Sequence, residues 1–228
     1  MNHIPSPGSH IHLIAVCGVG MASLAGLLKS QGYRVSGSDQ NVYPPMSTYL
    51  AEIGIDVQTG FDAAHIANQP DLVIIGNAVS RGNPEAEAVL NAGIRHLSFP
   101  QALGKFLIGE RQSIVIAGTH GKTTTSAMAA WVLTSAGVNP GFFVGGVPLN
   151  FASGWNAGKG DCVVLEGDEY DSAFFDKGPK FLHYRPQSVI LTSVEFDHAD
   201  IYRDLNHLKE AFRQFAILIP ASGLLVAC

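Results

Sequence analysis

The chain has 228 residues, of which 46% are hydrophobic and 14% charged, with 25 glycines. This apolar, glycine-rich profile suits one large or two small α/β domains and excludes disorder. A net charge of −5 gives no electrostatic reason to bind nucleic acid, and the longest apolar runs are strand-length, so no membrane span is expected. Residues 1–12 lack the charged region and apolar core of a secretion signal. Cys17, Cys162 and Cys228 are widely spaced with no C-x-x-C, so reduced thiols in a cytoplasmic protein are expected.

In chain order, residues 12–16 read as a short strand. The turn Cys17-Gly18-Val19-Gly20-Met21-Ala22-Ser23 follows, then a helical pattern over 21–31 and a strand over 33–37 that ends at Ser38-Asp39. This is a βαβ unit with G-x-G-x-x-S, a dinucleotide-type fingerprint in which Ser23 replaces the third glycine. Asp39 stands about where the fingerprint's acidic residue falls, ~20 residues onward. A turn-forming aspartate after a strand explains it equally well.

The proline-stiffened stretch 41–48 is a candidate lip of a site. A helix is predicted over 45–53, a strand over 55–57 and another over 71–75. The loop 76–83 comes next, then a helix over 84–92 opened by proline, a strand over 95–97 and a helix over 101–108. Asn77, Ser80 and Arg81 lie in that loop, at a strand's C-terminal end, where open α/β sheets bind ligands. Arg81 is either a diphosphate ligand, its planar fork matching phosphate oxygens, or a solvated loop residue. Residues 109–111 mark a domain boundary.

The second half opens on the most informative stretch, an apolar β-branched run that breaks into Gly118-Thr119-His120-Gly121-Lys122-Thr123-Thr124-Thr125 ahead of a helix over 126–135. Strand, glycine turn, Lys-Thr and helix form a phosphate-binding loop in the shortened form G-x-x-G-K-T-T. Glycines let backbone N–H groups face a polyphosphate, and the helix N-terminus adds a positive dipole end. Lys122 would reach the β- and γ-phosphates, and the Thr123 hydroxyl would sit on Mg²⁺.

A strand over 141–144 and a glycine-rich loop over 145–160 precede a strand over 161–165. It runs into Glu166-Gly167-Asp168-Glu169-Tyr170-Asp171. Four close carboxylates repel one another and make sense beside a cation, with Glu166, first after the strand, as metal ligand. A solvated acidic turn is the alternative. The strand over 187–193 ends at Glu195-Phe196-Asp197-His198-Ala199-Asp200, where His198 is either a second metal ligand or a capping residue. An amphipathic helix over 204–217 and a strand over 223–227 close the chain. Alternating strands and helices imply parallel sheets.

The phosphate loop, the Glu-Gly-Asp-Glu-Tyr-Asp cluster and Glu-Phe-Asp-His-Ala-Asp, in this order, resemble the Mur ligases, ATP-dependent amide-forming enzymes of bacterial cell-wall synthesis. The stretches Gly-Ser-Asp-Gln-Asn-Val-Tyr-Pro-Pro-Met and Glu-Tyr-Asp-Ser-Ala-Phe-Phe-Asp-Lys resemble the branch that joins UDP-N-acetylmuramate to the murein tripeptide L-alanyl-γ-D-glutamyl-meso-diaminopimelate in peptidoglycan recycling. L-alanine addition, a UDP-sugar-binding module without catalysis and, from Gly18-Val19-Gly20 alone, an NAD(P) oxidoreductase are the competing readings.

The resemblance implies an α/β architecture: a Rossmann-like UDP-sugar-binding domain over 1–110 and a P-loop ATPase-type central domain over 111–228. Gly18, Val19, Gly20, Met21, Asp39, Asn77, Ser80 and Arg81 would hold the UDP-sugar. Gly118, Thr119, His120, Gly121, Lys122, Thr123 and Thr124 would hold ATP. Thr123 and Glu166 would bind one Mg²⁺ and His198 a second. Lys122 would serve phosphoryl transfer, and His120 would position the sugar carboxylate. That carboxylate would attack the γ-phosphate to give an acyl phosphate, from which the tripeptide amine displaces phosphate. Members of the family are much longer and carry a third domain. The 228 residues are therefore expected to bind UDP-sugar, to turn over poorly or not at all, and to be monomeric.

Overall fold

The computed structural model describes residues 4–196 and 201–228; His198, Asp197 and Asp200 lie outside the described residues. The chain forms two compact units, Met1–Ala102 with Ser172–Lys177, and Leu103–Asp171 with Gly178–Cys228. The first is built on a wholly parallel sheet, the second on a sheet that is parallel except at one edge.

In the first unit, β1 (His10–Ile14), β2 (Arg34–Asp39), β3 (Asp56–Thr59), β4 (Leu72–Ile75) and β5 (His96–Ser98) form a sheet of order β3-β2-β1-β4-β5. All its pairings are parallel. Ile11, Leu13 and Ile14 are fully buried, as are Val73, Ile74 and Ile75, because helices cover both faces of such a sheet. The helices are α1 (Val19–Ser30), α2 (Met46–Glu52) and α3 (Pro84–Asn91). The Asn83 side chain caps α3 by accepting from the N–H groups of Glu85 and Ala86.

The first strand lies two residues earlier than its apolar run suggests. Pairing of His10 with Arg34 and of Ile14 with Ile75 sets its register, and Ala15 turns the chain at φ 67°. Phe174 and Phe175 complete this unit's core by packing against Ile66, Val73, Val79 and their neighbours. The Ser98 hydroxyl donates to Asp176 Oδ2 at 2.6 Å.

The predicted helix over 101–108 is in fact α4 (Phe99–Leu103) followed by a single π-helical turn, Gly104–Ile108. In the second unit β6 (Gln112–Ala117) is central. With β7 (Gly141–Phe143), β8 (Trp155–Asn156), β9 (Cys162–Gly167), β12 (Pro186–Leu191) and β13 (Leu224–Ala227) it forms a sheet of order β13-β12-β6-β9-β7-β8. β10 (Asp171–Ala173) and β11 (Asp176–Pro179) make a separate two-stranded ribbon. α5 (Lys122–Ser135) follows β6, and α6 (Leu205–Ile217) packs Leu208, Phe212 and Phe215 inward.

Three expectations change here. α5 begins at Lys122, four residues before residue 126, because Gly121 in the left-handed region (φ 77°) turns the chain straight into it. The glycine-rich loop over 145–160 contains β8, which pairs antiparallel with β7. Glu166 lies inside β9 and not after it, because it pairs in register with Ile116 of β6.

Candidate functional site

In the first sheet the strand order reverses between β1 and β4, and a crevice opens at that point beyond the strands' C-terminal ends. A cavity of about 600 Å³ lies there. Its walls include Cys17, Gly18 and Val19 after β1, Asp39 at the end of β2, Tyr43 and Met46 from the proline-stiffened segment, and Asn77 after β4. Gly18 occupies the N-cap of α1, so the helix N-terminus opens on this space.

Of the eight residues suggested for the UDP-sugar, the cavity brings together Gly18, Val19, Met21, Asp39 and Asn77. Gly20, Ser80 and Arg81 are not in its lining. Gly20 packs against Phe99, whose ring would lie 3.3 Å from an added Cβ. Ser80 and Arg81 are exposed farther along the loop. Asp39 is buried, and its two oxygens accept from the N–H groups of Cys17 (2.8 Å) and Asn41 (2.9 Å), pinning two loops of the cavity. Burial, with Asp39 adding to it, pushes the Cys17 thiol up to about 11.

In the second unit the phosphate loop is fastened to the exit of β12. Gly118 has φ 133°, and a Cβ there would lie 2.3 Å from Thr192 Oγ1. The Thr119 hydroxyl donates to the carbonyl of Glu195 and accepts from its N–H, both at 3.0 Å. Thr192 Oγ1 donates to the His120 carbonyl at 2.5 Å. The exposed His120 ring stands 3.9 Å from the Glu195 carboxylate. Thr123 and Thr124 are exposed on the first turn of α5. Thr192 and Ser193 escaped the sequence reading because their role is set by neighbouring strands, not by a local motif.

The sequence reading sets the acidic cluster beside a cation, with Glu166 as ligand; in the structure each of its carboxylates also meets groups of the protein. Glu166 Oε1 accepts from the Thr123 hydroxyl at 2.8 Å, and Oε2 from the Gly145 N–H at 2.7 Å. Asp168 pairs with Lys180, Glu169 with Lys122, and Asp171 accepts from the Gly178 N–H. The Tyr202 hydroxyl donates to the Glu169 carbonyl at 2.7 Å, and burial followed by the nearby Glu169 raises its pKa. Among the described residues no three His, Cys, Asp or Glu side chains converge on one point. Thr123 and Glu166 nevertheless supply adjacent oxygens, and Gly145 orients the carboxylate, so the pair fits a hard oxygen-seeking cation such as Mg²⁺.

By its fold and its loop, the second unit has the strand, glycine turn and helix of the P-loop class, and the first is a doubly wound sheet with a crevice at its switch point. More narrowly, the chain belongs to the Mur ligase family: residues 10–111 match the family's catalytic domain and residues 116–228 its middle domain. It is 50% identical over 216 residues to the UDP-N-acetylmuramate--L-alanyl-gamma-D-glutamyl-meso-2,6-diaminoheptandioate ligase of Escherichia coli (strain K12), covering 95% of this chain and 47% of that protein. It is 38% identical over 218 residues to the UDP-N-acetylmuramate--L-alanine ligase of Carboxydothermus hydrogenoformans, covering 96% of this chain and 45% of that protein. The crystal structure of UDP-N-acetylmuramate:L-alanyl-gamma-D-glutamyl-meso-diaminopimelate ligase from Neisseria meningitides aligns with a TM-score of 0.91 at 44% identity, over 96% of this chain and 71% of that one. The chain thus spans about half the length of the curated relatives it matches.

Proposed function

We propose that this chain supplies the UDP-sugar-binding and ATP-binding parts of an ATP-dependent ligase that joins UDP-N-acetylmuramate to L-alanyl-γ-D-glutamyl-meso-diaminopimelate. It would work as a monomer in cytoplasmic peptidoglycan recycling. The tripeptide is preferred to L-alanine as the amine because relatives named for the tripeptide share more of this sequence. No helix among the described residues is long and apolar enough to cross a membrane.

The observation that carries the reading is the glycine-turned loop at the start of α5, with the Lys122 ammonium folded onto it and the Thr123–Glu166 pair beside it. Residues 1–110 would hold the UDP-sugar, with Gly18 and the α1 N-terminus at its diphosphate and Asp39 shaping the crevice. Gly20, Ser80 and Arg81 remain proposed contacts of the bound sugar nucleotide, although they are not in the cavity lining. Residues 111–228 would hold ATP. Gly118, Thr119, Gly121 and Thr124 would cradle its phosphates, and Lys122 would neutralise charge as the lactyl carboxylate attacks the γ-phosphorus. His120 would orient that carboxylate. Thr123 and Glu166 would hold one Mg²⁺, and His198, outside the described residues, a second. When bound, the metal neutralises phosphate charge. Departure of ADP would leave an acyl phosphate, and attack by the tripeptide amine would release phosphate and form the amide.

Calorimetry tests the two binding roles separately. UDP-N-acetylmuramate and Mg·ATP should each bind, and Lys122→Ala should abolish the Mg·ATP signal while sparing the sugar nucleotide. Retention of full Mg·ATP affinity by that variant would refute the phosphate-loop assignment.

A further inference from the structure

Lys122 carries three N–H donors, and four protein oxygens already surround them. Its Nζ lies 2.7 Å from the Gly118 carbonyl oxygen, 3.2 Å from that of Thr119, and 3.1 and 3.0 Å from the two oxygens of Glu169. The Glu169 side chain is fully buried and that of Lys122 is 15% exposed, so water screens this pair weakly. Hydrogen bonds fix the backbone around the carboxylate: the Asp168 carbonyl accepts from the Phe181 N–H, the Glu169 carbonyl from the Tyr202 hydroxyl and the Tyr170 carbonyl from the Lys180 N–H. A polyphosphate can gain a hydrogen bond from Lys122 only by displacing one of the oxygens now in place. The adjoining carboxylate also cancels the charge that would attract it.

We infer that Glu169 is a positioning residue that holds Lys122 in a neutral resting pair inside the phosphate loop, so that an incoming nucleoside triphosphate must compete with it for the ammonium. The inference rests on the loop binding a triphosphate, as proposed above. Glu169 restrains affinity in exchange for a lysine already in place. Keeping part of the Glu169 contact lets the lysine swing to phosphate without leaving a bare carboxylate in the interior, which would be strongly unfavourable.

The test is calorimetry of the 228-residue chain with Mg·ATP, comparing wild type, Glu169→Gln and Glu169→Asp. Glu169→Gln keeps the shape and removes the opposing charge, and it should bind at least roughly 3-fold tighter, since the ammonium no longer has to be drawn from a poorly screened carboxylate. Glu169→Asp should restore an affinity close to wild type. A purely structural role would weaken binding or leave it unchanged, so an affinity of folded Glu169→Gln at or below wild type overturns the inference. Absence of Mg·ATP binding by wild type would instead overturn the phosphate-loop reading. Should Glu169→Gln not fold, NMR of the wild-type lysine ammonium groups decides. Without nucleotide, one slowly exchanging ammonium, lost in Lys122→Ala, is expected, and its absence overturns the resting pair.

Discussion

Lys122 and Glu166 show how much a side chain's role depends on what holds it. The ammonium is folded back onto carbonyls of its own loop, and the carboxylate is clamped by a hydroxyl and a backbone N–H. Under the proposed reading both would be oriented before a nucleotide arrives, which would remove part of the ordering that binding otherwise requires. Cys17 shows the opposite case, a polar atom kept quiet by its surroundings. Its thiol is pushed up to about 11 from an ordinary 9.0 by burial first and Asp39 second. The folded state therefore favours the neutral thiol, and Cys17's contribution to stability declines as pH rises from 9.0 towards 11. At neutral pH Cys17 should alkylate far more slowly than the exposed Cys228. Mass spectrometry after iodoacetamide treatment across pH 7 to 11 would check this, with a midpoint for Cys17 near 11. UDP-N-acetylmuramate should slow the labelling further, since Cys17 lines the crevice.

At the scale of elements, the loop between β6 and α5 is held in shape because β12 delivers Thr192 and Ser193 beside it. Gly118 is the pivot, combining a φ of 133° with an approach that leaves no room for a methyl group. Gly118→Ala should destabilise the chain by about 1–3 kcal/mol through backbone strain alone. It should also lose Mg·ATP binding, because relief of the clash moves the loop away from Thr192. Urea denaturation should show a lower midpoint at unchanged slope. A midpoint equal to wild type would mean that the loop tolerates a Cβ there. α6 is held by burial of Leu208, Phe212 and Phe215 and by the Asp204 cap, which accepts from the His207 N–H. Its apolar spacing was legible along the chain because a period of 3.6 residues is a local signal.

For the molecule as a whole, the proposal assigns one ligand to each large sheet. Hydrogen exchange should separate them: UDP-N-acetylmuramate should protect amides near Cys17, Asn41 and Asn77, and Mg·ATP those of residues 118–123 and Gly145. Each ligand at about 100 times its Kd should add about 2.7 kcal/mol to the stability of the unit it binds. Protection of the same amides by both ligands would contradict the assignment. The sequence by itself determined the alternation of strands and helices, the glycine turn ahead of α5 and the acidic run 166–171, since these depend on local propensity, glycine freedom and residue order. It could not determine strand order, which brings Asn77 beside Cys17 by pairing β4 with β1 and Thr192 beside Gly118 by pairing β12 with β6. Nor could it show which protein groups the four carboxylates meet, Lys122 and Lys180 among them. Those pairings depend on contacts between residues far apart in the chain, and only packing of the sheets and the segments that flank them creates them.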